Sequence, residues 1–123
     1  MQLKDVMTRN VEVIGPEATL EDAASRMDAL DIGPLPVCEN DRLVGMITDR
    51  DITVRSTAMG ADPTTIHVRD AMSKDVLYCH EDDDVRDASR LMERKQVRRL
   101  PVLNREHRLV GIVARRSRGL GTR

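Results

Sequence analysis

Aromatic side chains are almost missing from this chain: 123 residues hold one Tyr, no Phe and no Trp. A core must then be built from Val, Ile, Leu, Met and Ala. Base-stacking platforms for single-stranded nucleic acid, which depend on aromatic rings, are disfavoured. Cysteine is scarce as well. Cys38 and Cys79 lie far apart with no C-x-x-C, which predicts two buried, reduced thiols. Cys38, Cys79 and His80 lack the spacing of metal ligands, so no metal is expected. His67 and His107 are isolated and read as surface residues. No apolar run approaches the roughly 20 residues that span a bilayer, and no apolar leader opens the chain, so a cytoplasmic protein without membrane contact is expected. Neither a nucleophile–base pair nor a metal constellation is visible, which argues against an enzyme.

What the chain does have is a repeat. Asp5-Val6-Met7-Thr8 returns as Asp70-Ala71-Met72-Ser73, and Leu35-Pro36-Val37 as Leu100-Pro101-Val102, both at an offset of 65. Leu43-Val44-Gly45-Met46-Ile47 returns as Leu109-Val110-Gly111-Ile112-Val113, offset by 66 after a one-residue insertion. Two copies alone predict a closed pair, since an open solenoid needs three or more units. A chain of this length is expected to be one compact domain with a single core. The copies differ in charge. Residues 1–65 carry 6 basic and 12 acidic side chains, residues 66–123 carry 14 and 9. Solvated faces, or copies that attract each other in a head-to-tail dimer, account for most of this, with an anion site lined by the second copy as the sharper reading.

Each copy reads as β-α-β-β-α. A stretch rich in β-formers comes first, Val11–Ile14 or Val76–Cys79. Thr19 with Asp22 three residues on makes a capping box for a helix with Leu20, Ala23, Ala24, Met27 and Leu30 as its stripe. In copy two Asp84 caps, Asp87 sits three residues later, and Val85, Ala88, Leu91 and Met92 form the stripe. The acidic run Glu81-Asp82-Asp83-Asp84 fits a helix start better than a metal cluster. Two strands follow, Leu35–Cys38 and Arg42–Thr48, joined by an Asn40-Asp41 turn whose counterpart is Asn104–His107. A second helix runs from Arg50 to Met59 and is stopped by Gly60. In copy two the residues after Ala114 lack an apolar stripe, so that helix is expected to be short, frayed or absent. The resulting boundaries are 1–60 for copy one, 61–67 for a linker, 68–114 for copy two and 115–123 for a basic tail that is disordered or reshapes an edge.

The sharpest motif is Gly45-Met46-Ile47-Thr48-Asp49-Arg50-Asp51, where a strand runs into a helix start. Free backbone N–H groups there suit phosphate, and a carboxylate one turn on can accept from both hydroxyls of a ribose. The same Thr48…Asp51 spacing also serves simply to cap a helix.

These repeated motifs resemble the CBS domain (the cystathionine-β-synthase motif), and the two copies together resemble a CBS pair, or Bateman module. The resemblance covers about residues 3–60 and 68–114. Gly45–Ile52 and Gln96–Val102 resemble stretches of stand-alone bacterial CBS-pair proteins. The resemblance implies an α/β fold of two β-α-β-β-α repeats packed with pseudo-twofold symmetry. It further implies a regulatory module that binds an adenosyl ligand (AMP, ADP, ATP, NAD or S-adenosylmethionine) in the inter-repeat cleft. In the family's manner Asp51 would hold the ribose, and Thr48 would face ribose or phosphate. Adenine would lie against Asp75-Val76-Leu77 and beside Val97. Arg98 and Arg99 would approach phosphates, and Ile112 would line an apolar wall. The matching positions for a second site are Ser117 and Ala114 with Gly33 and Pro34, which lack the carboxylate and both cations, so one competent site per chain is expected. A homodimer, an unidentified regulated protein and no nucleic-acid partner complete the implied picture. The alternative is a ligand-free dimerisation or protein-docking module.

Overall fold

The computed structural model describes residues 1–116 and 119–121, with side-chain surroundings as far as Arg115. The chain divides into two compact units, one of Glu12–Val76 and one of Met1–Val11 with Leu77–Arg123. Each has its own hydrophobic cluster, so the single core expected from length alone is replaced by two.

In the unit Glu12–Val76, Thr19 caps helix α1 (Leu20–Leu30) through the anticipated box. Its hydroxyl accepts from the Asp22 amide at 3.1 Å, and the Asp22 carboxylate accepts from the Thr19 amide at 3.1 Å. Leu20, Ala23 and Met27 are buried. Ala24 is exposed and Leu30 is 37% exposed, so the stripe is narrower than its periodicity suggests. Strands β1 (Pro34–Glu39) and β2 (Arg42–Thr48) form an antiparallel hairpin. Asn40 and Asp41 both take positive φ, 53° and 68°, at its two-residue turn. A bulge between Val37 and Cys38 shifts the register. Helix α2 (Asp49–Thr53) continues into a π-helical turn, Val54–Ala58, and ends before Gly60 at φ 69°. The stop at Gly60 matches the reading of the sequence. The π-turn does not follow from it.

The same unit ends with helix α3 (Val68–Ala71). Val68 and Ala71 are buried in the cluster with Leu20, Leu35, Val37 and Ile47. Ser73 exchanges backbone bonds with Met46 on β2, at 2.8 and 2.9 Å. The opening segment of copy two is thus built onto the sheet of copy one.

The other unit shows the reciprocal arrangement. Leu3 and Met7 are buried with Met92, Leu100, Val102 and Val113. Thr8 exchanges bonds with Ile112, both at 2.9 Å. The sheet runs β3 (Cys79–His80), β4 (Arg99–Leu103), β5 (Leu109–Arg116), β6 (Gly119–Gly121), with β3 parallel to β4 and the rest antiparallel. The bulge recurs between Val102 and Leu103. Helix α4 (Val85–Lys95) buries Ala88 and Met92, with Val85 and Leu91 partly covered. Its cap departs from the capping box. Asp84 accepts from the Arg86 amide at 2.8 Å, and Asp87 pairs with Arg90 at 3.6 Å instead of returning to the cap.

One further expectation needs correction, and another is met. Of Val11–Ile14 only Ile14 makes a β-bridge, to Val37, and of Val76–Cys79 only Cys79 enters a strand. Val13 offers its carbonyl to Arg26 instead, at 2.5 Å. After Ala114, in line with the sequence reading, no helix forms among the described residues. The chain stays extended through β5 and returns as β6, an unanticipated strand. Ser117, the counterpart of Asp51, lies outside the described residues, as do parts of the basic tail.

Candidate nucleotide-binding residues

Thr48 ends β2 and caps α2. The Asp51 amide donates to its hydroxyl at 3.2 Å, and its own amide donates to Asp51 Oδ2 at 2.9 Å. Both side chains are partly buried. The geometry matches the Thr19–Asp22 box, so capping by itself does not separate a helix start from a sugar site. Asp51 spends one carboxylate oxygen on the cap. Among the described residues its Oδ1 accepts no hydrogen bond. An ionised carboxylate oxygen has lone pairs for hydroxyl donors. Asp49, beside it, receives the Arg50 amide at 2.9 Å.

The remaining candidates divide between the units. Asp75 and Val76 follow Ser73 at the end of the unit that holds Thr48 and Asp51. Leu77, Val97, Arg98, Arg99 and Ile112 belong to the other. There Gln96, at φ 56°, closes α4, and the Val97 amide returns to the Met92 carbonyl at 3.0 Å. Arg98 accepts the Arg115 amide on its carbonyl at 2.7 Å, and Arg99 pairs with Ala114 at the start of β4. Ile112 lies opposite Pro101 on β5. Arg98 is exposed and Arg99 half-buried, and neither forms an ion pair among the described residues.

The apolar candidates differ in burial. Val76, Val97 and Ile112 are half-buried and Leu77 is 38% exposed. Only Val97 packs against a core cluster.

Both cysteines are buried and free. Burial pushes each thiol up to about 11, with a smaller push from Asp41 on Cys38 and from Asp83 on Cys79. They are neutral at physiological pH. The acidic run at the start of α4 is consumed locally. Asp82 pairs with Arg105 at 2.8 Å, Asp83 receives the His80 amide at 2.8 Å and Asp84 caps the helix. Among the described residues no group of three or more His, Cys, Asp or Glu side chains is placed to hold a metal, and no helix is long and apolar enough to cross a membrane.

Two sheets with exchanged opening segments, each carrying a glycine-to-helix or glycine-to-strand hairpin exit, define a tandem β-α-β-β-α protein. The CBS domain model matches twice, over residues 3–56 and 68–117, and the chain belongs to the CBS domain family as a tandem pair. It is 43% identical over 112 residues to the CBS domain-containing protein YhcV of Bacillus subtilis, covering 91% of this chain and 79% of that one. The crystal structure of Hypoxic Response Protein I with two coordinated zinc ions superimposes with a TM-score of 0.82 at 41% identity, covering 93% of each chain. That of CBSX2, a CBS-pair protein of Arabidopsis thaliana, in complex with AMP superimposes with a TM-score of 0.80 at 27% identity, covering 93% of this chain and 90% of that one.

Proposed function

We propose that this CBS pair is a regulatory module, not an enzyme, that binds an adenosyl ligand and answers by shifting a conformational equilibrium. Asp51 is assigned to the ribose, Thr48 to ribose or phosphate, Arg98 and Arg99 to phosphate, and Asp75, Val76, Leu77, Val97 and Ile112 to the base. The observation that carries the reading is the Asp51 carboxylate, held by its cap with one oxygen still available. The AMP complex of CBSX2 supports the ligand class. A ligand moves such an equilibrium only through differential affinity for its two states. The exposed Val54 and Met59, 40% and 66% exposed, support a further proposal of a homodimer, to be checked by light scattering.

Titration calorimetry of the intact protein with AMP, ATP, NAD and S-adenosylmethionine tests the reading. Binding of at least one is expected. Asp51→Asn keeps an acceptor for the cap and removes the charge. A charged hydrogen bond is worth about 1.5–3 kcal/mol, so affinity should fall roughly 10- to 150-fold. No binding by any ligand rejects the sensor, and an Asp51→Asn variant that binds like wild type rejects the site. The mutual capping of Thr48 and Asp51 favours a second reading, a ligand-free dimerisation or docking module. Partner capture that is indifferent to all four ligands would support it.

A further inference from the structure

The unit Glu12–Val76 contains a cleft of about 620 Å³ between the 12–15 segment and the outer face of α1, with Cys38 among its lining residues. It shares no residue with the nucleotide site proposed above. Its size lies within the range of small-molecule sites. The internal repeat says which features the fold itself does not require. At the matching positions 65 residues on, Gly15 is His80, Ser25 is Arg90, Ala29 is Arg94 and Cys38 is Leu103. At these four positions copy one carries the smaller side chain, and a Cβ added at Gly15 would meet nothing within 4 Å.

The two charges run the other way. Glu12 and Arg26 line the cleft, yet their counterparts are Leu77 and Leu91. The same fold is therefore built with leucine at both places. Glu12 and Arg26 form no ion pair with each other or with any described residue. Arg26 is tethered by one N–H to the Val13 carbonyl at 2.5 Å, which fixes the guanidinium and leaves further donors for a carboxylate. Asp22, also in the lining, gives Oδ2 to the α1 cap and, like Asp51, keeps its other carboxylate oxygen without a hydrogen bond among the described residues. Apart from Ser25 the rest of the wall is uncharged and mostly apolar, including Ile14 and Leu30, and the Cys38 thiol adds no charge at neutral pH.

We propose that this cleft binds a free α-amino acid with an apolar side chain, its carboxylate on Arg26, its ammonium on Glu12 and its side chain against the Ile14 and Leu30 wall. The Glu12 carboxylate, with Asp22 also in the lining, suits an ammonium, and the Arg26 guanidinium, not paired to either, suits a carboxylate, so the cleft complements a zwitterion with an apolar body. A nucleotide, with several negative charges and one cation to meet them, does not match.

The test is an amide-shift titration of the full chain with L-leucine, leucinamide (no carboxylate) and N-acetyl-L-leucine (no ammonium). L-Leucine should give saturable shifts at Gly15, Ser25 and Ala29, and each analogue should bind roughly tenfold or more weakly, as expected for losing a charged hydrogen bond. Glu12→Leu and Arg26→Leu, which copy two shows to be compatible with the fold, should each weaken leucine to a similar degree and leave AMP titrations unchanged. Arg26→Lys should retain part of the affinity. No saturable shift below about 10 mM leucine, an affinity too weak to use binding energy appreciably, would overturn the proposal, as would equal binding of all three probes.

Discussion

Gly45 and Gly111 each mark a place where a side chain is forbidden by the opening segment docked across them. A Cβ on Gly45 would meet Met72 Sδ at 2.7 Å and the Ser73 carbonyl at 2.8 Å. On Gly111 it would meet Met7 Sδ at 2.6 Å and the Thr8 carbonyl at 2.9 Å. The methionine can swing away. The carbonyl belongs to a bridge and cannot. Gly111→Ala should therefore destabilise by about 1–3 kcal/mol, the usual cost of overpacking, and Met7→Ala in the same chain should rescue only part of it. Chemical denaturation of the four variants of this cycle reads the result. The cysteines give a second residue-scale expectation. Their thiols are raised from the ordinary 9.0 to about 11 in the folded state. The unfolded chain then loses thiol protons first, so stability from these groups is intact below pH 9 and declines as pH rises towards 11. Thermal melts from pH 8 to 11 should show that decline, and Cys79→Ala should flatten it.

At the scale of elements, legibility followed locality. The Thr19 and Thr48 caps, the Asn40-Asp41 turn and the Gly60 stop were readable because each is settled within about one turn of chain. Residues 11–13 and 76–78 looked like strands by composition, yet pairing is decided by distant partners, and only Ile14 and Cys79 found them. Strand β6 gave no signal, since Gly119-Leu120-Gly121 has neither alternation nor β-branching. The Thr48–Asp51 box shows the limit for the site. Spacing announced a polar pair at a helix start, but the state of the second carboxylate oxygen is a fact of three dimensions. Thr48→Ala removes the acceptor for the Asp51 amide and should cost about 1 kcal/mol, measurable as a lowered midpoint of urea unfolding. Thr19→Ala should cost a similar amount but leave nucleotide titrations untouched, which separates capping from binding.

On the scale of the molecule, the repeats read from sequence do not coincide with the compact units, Glu12–Val76 and Met1–Val11 with Leu77–Arg123. The openings Asp5–Thr8 and Asp70–Ser73 are alike, as are the hairpins they meet, so the sequence does not say which sheet each joins. The structure assigns each to the other copy's sheet. Residues 1–60, one repeat as the sequence counts it, lack Val68 and Ala71 of their own cluster. Residues 12–76 hold that cluster complete. Burying one such side chain is worth about 1.5–3 kcal/mol, a large share of the stability of a unit this small. The fragment 12–76 should melt cooperatively by circular dichroism, and the fragment 1–60 should not.

The exchange also makes the two units unequal in assembly. One sheet is sealed by Met46 and Ser73 from a single uninterrupted stretch, whereas Thr8 and Ile112 must find each other from nearly opposite ends of the polypeptide. That ring is roughly four times longer, so its closure costs about 1.2 kcal/mol more in chain entropy. Similar hairpins thus come with unequal closure: loop entropy favours making the Met46–Ser73 contact before the Thr8–Ile112 contact, which joins the first residues of the chain to nearly the last strand.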